Sequence, residues 1–212
     1  MLRDSSGALL AESTTKVFHF KERLDFKFSH SPSWYYLVIK ATFDIVWLHA
    51  NNNTKIEAMR LQEGTVCLDL FDRLPNNKTG HLVRRYTDFA IGLRELAVRP
   101  GDIDPSYNCH GYCFGESKYW INDSQVERIL QNDSYQELSS TQDMSIVVHS
   151  FGRQIVHTAK CHRSNGGFVY VSKAGVRGLE KTERVNQAAR GLQCDSTRIY
   201  VAAHAEVRHG VP

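Results

Sequence analysis

Residues 106 to 120 read "SYNCHGYCFGESKYW", and the fold turns on whether Cys109 and Cys113 are two metal ligands or a nucleophile and a packing residue. Pro100, Gly101 and Pro105 close whatever regular structure precedes them, because proline lacks an amide N–H and restricts the residue before it. A helix is therefore expected to begin inside the stretch, with Asn108 as its cap, Cys109 in its first turn and Gly111 letting that turn approach a facing sheet. Unpaired first-turn N–H groups favour a thiolate, so Cys109 stands where a reactive thiol belongs and Cys113, one turn on, where a core thiol belongs. From the cysteines alone, two small buried thiols fit equally well.

Downstream, Ser124 and Glu127 have capping-box spacing before "VERIL", which predicts a short second helix. "MSIVVHSF", "QIVHTAKCH" and "GFVYVSKA" then follow with the turn residues "GR" and "RSNGG" between them, the pattern of consecutive antiparallel strands. "RIYVAAHAEV" offers one more strand, and "SKAGVRGLEKTER" reads as an exposed connection. A thiolate nucleophile needs a general base, and His157 in the interior of a strand supplies one.

Upstream, Phe18, Phe20, Leu24, Phe26 and Phe28 alternate with charged or polar residues in a pattern broken by Glu22, and the odd positions from Tyr35 to Trp47 are all apolar. Both runs have the period of a strand. "NNNT" and "QEG" punctuate shorter strands near Ile56 and from Thr65 to Phe71. Leu82, Tyr86, Phe89, Leu93 and Leu96 recur at spacings of three and four, which predicts a helix. The expected organisation is a disordered N-terminus (1–15), a β-rich accessory unit (16–75), a connecting helix (76–98) and a cysteine-bearing domain (99–212). The fold class is α+β.

Composition narrows the classes. Apolar residues at 42% and charged residues at 23% argue against a disordered or fibrous chain. A net charge of +3 with both signs interspersed lacks the basic stripe that nucleic acid requires. The sequence shows no signal-peptide core and no run long enough to span a membrane, so a cytoplasmic location is expected, with non-classical export as an effector left open. Five cysteines, an odd number without a secretory signal, point away from a disulfide scaffold.

"NCHGY" resembles the Asp-Cys-Ser-Gly-Phe nucleophile motif of the NlpC-type and CHAP-type papain-like cysteine hydrolases, and "NCHGYCF…YWIND" is similar to a group of bacterial domains placed among them. The likeness covers roughly Asp104 to Gly178. It implies a helix carrying Cys109 packed on an antiparallel sheet, His157 as base, Ser172 from the next strand as the residue orienting it, and no cofactor. Ser172 departs from the usual His, Asn or Gln, and a hydroxyl orients an imidazole less firmly than an amide. No upstream glutamine of the papain kind serves the oxyanion, so the expected hole is the Cys109 N–H with one further donor, a side chain from "DIDPSY" or from Asn108 or His110.

A zinc site built from Cys109, Cys113, His157 and Cys161 is the competing reading, because C-x3-C and H-x3-C are ligand-like spacings. On an extended strand, however, His157 and Cys161 lie about 13 Å apart. The expectation is therefore a cysteine peptidase or amidase without metal, acting on a peptide, peptidoglycan or protein. Its N-terminal β unit would contact a protein partner or brace the enzyme. A papain-like deamidase or toxin, and a non-catalytic interaction module on the same fold, are the alternatives.

Overall fold

The period-two runs do form strands. In the computed structural model, which describes residues 3–4, 15–28, 31–71, 82–86, 104–173, 175–176, 178–189 and 192–203, the first sheet is built around one long strand. After the two-residue β1 (Arg3–Asp4), β2 (Thr15–Phe28) and β3 (Ser31–His49) pair antiparallel from Thr15↔Asp44 to Phe28↔Ser31. The other edge of β3 is shared: β4 (Lys55–Leu61) covers Phe43 to His49, and β5 (Cys67–Phe71) covers Tyr36 to Lys40. The strand β6 (Leu82–Tyr86) joins β5.

Two expectations change in this sheet. Disorder was expected over 1–15, of which 1–2 and 5–14 lie outside the described residues; within it Arg3 and Asp4 pair with His49 and Leu48, where β2 leaves an edge of β3 open beyond Asp44. A connecting helix was expected over 76–98, yet Leu82–Tyr86, the part of it within the described residues, is a strand. The reason is geometric: a spacing of four puts Leu82 and Tyr86 on one face of a helix and equally on one face of a strand.

The second half supplies the helices found among the described residues and a second six-stranded sheet. Helix α1 (Cys109–Phe114) and helix α2 (Asp123–Asn132) precede β7 (Tyr135–Leu138), β8 (Ile146–Phe151), β9 (Gln154–Ser164), β10 (Gly167–Lys173), β11 (Leu179–Thr182) and β12 (Ser196–Ala202). A 3-10 turn at Val185–Gln187 lies between the last two. The order across the sheet is β11-β10-β9-β8-β12-β7, antiparallel throughout. The three consecutive strands are β8, β9 and β10, and Gly152, at φ +59°, makes the tight turn between the first two. The run expected to be an exposed connection contains β11.

At six residues α1 is too short to hold itself, since helix nucleation is unfavourable and only propagation repays it. Packing holds it instead: α1 lies against β9 and β10, and the fully buried Phe114 meets Tyr135 edge to face at 5.6 Å. Phe114 shares one core with Leu48 and Ile56 of the first sheet, Ile129 of α2 and Val148 of β8. Each such side chain contributes about 1.5–3 kcal/mol by leaving water. The opposite face of β3 and β4 buries Ala41, Phe43 and Met59 against Trp120. The chain is thus α+β, mostly antiparallel sheet, with a core running from the first sheet into the second. No helix among the described residues is long and apolar enough to cross a membrane.

Candidate active site

Cys109 opens α1 because Asn108 caps it. The Asn108 Oδ1 accepts the Gly111 N–H at 2.9 Å and the Ile121 N–H at 3.2 Å, while Nδ2 donates to the Ile121 carbonyl at 2.7 Å. One side chain therefore both starts the helix and clips it to residue 121. Gly111 approaches a backbone, as expected, but not that of a sheet strand: a Cβ there would lie 1.7 Å from the Tyr119 carbonyl oxygen.

Residues 119 to 123 form a strap that fixes the site from three sides. The backbone of Trp120 exchanges two hydrogen bonds with Met59 of β4, at 2.8 and 2.9 Å. Ile121 holds Asn108, and Asp123, at the start of α2, reaches His110. The expected capping box does not form: α2 starts at Asp123, its cap Asn122 makes no side-chain capping bond, and Ser124 lies exposed inside the helix.

His110 is the centre of the polar cluster. Its Nδ1 lies 3.7 Å from the Cys109 Sγ and 2.9 Å from the Thr158 Oγ1, and its Nε2 lies 2.9 Å from the Asp123 Oδ1. Burial of the ring favours its neutral form, but the Cys109 thiolate and the Asp123 carboxylate reverse this and hold His110 up at about 9. Burial likewise pushes the Cys109 thiol up, and the imidazoles of His110 and His157 more than offset it, leaving the thiol well below its ordinary range. Cys109 is 7% exposed and His110 is fully buried. The thiolate is favoured by its imidazole neighbours more than by the dipole of a six-residue helix.

His157 sits in β9 opposite His149 of β8, their rings stacked with centroids 6.0 Å apart. Both rings are buried, and among the described residues the Nε2 of each has no hydrogen-bond partner. The His149 Nδ1 lies 3.1 Å from the Thr197 Oγ1. Burial, with His157 adding to it, lowers His149 to about 4. Ser172, expected to orient His157, lies opposite Ala159 in the β9–β10 register and donates its hydroxyl to the Ala188 carbonyl at 3.2 Å. The structure does not bring Ser172 to His157 by a hydrogen bond. The two residues expected at the oxyanion are also committed elsewhere, Asn108 to backbone groups and His110 to Thr158 and Asp123.

The remaining thiols have separate surroundings. Burial pushes Cys113 up to about 12 in the core that contains Phe114, whereas Cys161 packs with Val147, Ala159 and Tyr170 in a different cluster. Sequence reasoning missed Asp123. The signal available was a carboxylate at the first position of the helix that follows "YWIN", but nothing in the spacing tied it to His110.

No family model, curated protein or solved structure matches the chain.

Proposed function

We propose that the protein is a cysteine hydrolase that cleaves amide bonds through a thioester on Cys109. The observation that carries this reading is the continuous string from the Cys109 Sγ to the His110 Nδ1 and from the His110 Nε2 to Asp123. A nucleophile, an imidazole and a carboxylate that fixes the imidazole are the parts an acyl-transfer site needs. The "NCHGY" resemblance and a helix packed on an antiparallel sheet support a papain-like arrangement. The substrate is a peptide, peptidoglycan stem peptide or protein amide, with deamidation of a glutamine side chain within reach of the same chemistry.

In this reading His110 takes the thiol proton and the thiolate attacks the carbonyl carbon, forming the C–S bond. The imidazolium then returns its proton to the leaving amine as the C–N bond breaks. Water attacks the thioester, giving its proton back to the imidazole, and the carboxyl product leaves with the thiol restored. Asp123 keeps the His110 Nε2–H in place through both halves. His157, the base expected from the sequence, acts as a second imidazole beside the sulfur, stacked on His149 with no carboxylate among its described partners.

Burial favours one other reading, a non-catalytic interaction module, because Cys109, His110 and His157 are 7%, 0% and 2% exposed. Brief alkylation of the native protein with iodoacetamide near pH 6 separates the two. The hydrolase reading expects fast, selective labelling of Cys109, slowed in both His110→Ala and Asp123→Asn, and loss of amide cleavage in Cys109→Ala. Native Cys109 that labels no faster than Cys113 would leave the interaction module as the reading.

A further inference from the structure

Lys173 is charged by nature, fully buried, and no part of the string from Cys109 through His110 to Asp123. It follows Ser172 at the end of β10, so its side chain points to the opposite face of the sheet from Ser172, the face that carries α1. There its Nζ donates to three backbone carbonyls: Asp104, Tyr107 at 2.7 Å and Gly175 at 2.8 Å. The ammonium also lies 4.6 Å from the centroid of the Tyr107 ring. Three donors meet three acceptors, so the group is fully satisfied. Two of those acceptors belong to the lead-in segment that ends two residues before Cys109.

We infer that Lys173 is a positioning residue of the Cys109 site, its ammonium pinning the lead-in segment at Asp104 and Tyr107 and adding a fixed positive charge to the surroundings of Cys109. The inference rests on the thiolate reading given above. A neutral chain could brace a loop by packing alone, but a buried charge is costly and is retained only where something repays it. Around Cys109 the charged and titratable groups are His110 and Cys113 from α1, His157 from β9 and Lys173 from β10. Around Lys173 they are Asp104, Tyr107 and Cys109. Burial lowers Lys173 to about 8, and Asp104 and the Cys109 thiolate work against that fall, so the ammonium is charged at pH 6.

The test is the pH dependence of Cys109 alkylation by iodoacetamide, with thermal melting to confirm folding. In Lys173→Met the midpoint should rise by about one pH unit, making labelling about tenfold slower at a pH below the parent midpoint, while Lys173→Arg should stay near the parent value. Lys173→Gln, neutral but still able to donate to two carbonyls, should shift like the methionine variant. A folded Lys173→Met or Lys173→Gln with an unchanged midpoint would overturn the proposal, and failure of both to fold would reduce Lys173 to a structural residue and end it too. The parent protein serves as the separate control: an unreactive Cys109 there sinks the hydrolase reading, whereas a reactive Cys109 indifferent to Lys173 sinks only this one.

Discussion

Gly111 shows how little freedom the site allows a single position. A methyl group there would occupy the place of the Tyr119 carbonyl oxygen, and neither backbone can yield without moving the strap or α1. Gly111→Ala should therefore destabilise the protein by about 3 kcal/mol, at the upper end of the overpacking range, and should slow Cys109 alkylation as well. A chemical-denaturation midpoint unchanged from the parent would contradict this. His149 makes a prediction of the opposite kind, about protons. Its folded value of about 4 lies below the ordinary 6.5, so the unfolded chain binds the extra proton between those pH values. Stability from this residue is fully present above pH 6.5 and is lost as pH falls toward 4, by about 3 kcal/mol in all. His149→Phe should flatten that acid slope in a urea titration series, and a slope that persists unchanged would assign it to other groups. His110 has the reverse sign: held up at about 9, it should give amide cleavage an alkaline limb near that pH as the imidazolium is lost.

Among the elements, α1 and the strap stand or fall together. Asn108→Ala removes a helix cap, worth about 1 kcal/mol, and also leaves the buried Ile121 N–H and carbonyl without their partner, at a further cost of roughly 1–3 kcal/mol. The loss should exceed that of an ordinary cap deletion. An equilibrium unfolding measurement giving only about 1 kcal/mol would show that Ile121 finds other partners. The cap itself was legible in the sequence, because Asn before a Cys-His-Gly run after a proline-rich break has a local reading. The clip to Ile121 was not, since it joins residues 13 apart through a side chain. The same limit separates the right strands from the wrong helix. Turn residues around β8, β9 and β10 mark their ends, whereas Leu82 and Tyr86 carry a spacing common to both kinds of element. At the site, Cys109 and His157 were legible as thiol and imidazole. The partnership of His110 with Asp123 was not, because it depends on where α2 begins.

For the whole molecule, the continuous core decides what can be separated. Leu48, Ile56 and Ala58 of the first sheet, with Ala50 just past the end of β3, are packed with Cys113, Ile129 and Val148 of the second half. Asn51 and Asn52 of the intervening turn also bond to Asp133 and Asn132 at the end of α2. A fragment starting at residue 100 would expose this face of α1 and α2 to water. It should fail to give a cooperative thermal transition, and a fragment that melts sharply near the parent temperature would show that the second half folds by itself.

That core also orders events in time. It closes with Tyr200, a residue of β12, and β12 slots between β7 and β8 in the sheet. A ribosome releases Leu48 and Ile56 long before it has made Tyr200, so the first sheet emerges with one greasy side waiting for most of the chain. Contacts that bridge such distances along a polymer form slowly, and the waiting side is attractive to any other nascent chain nearby. Yield in a cell should accordingly respond to chaperone supply and to slower synthesis at low temperature more than the melting point of the finished protein would suggest.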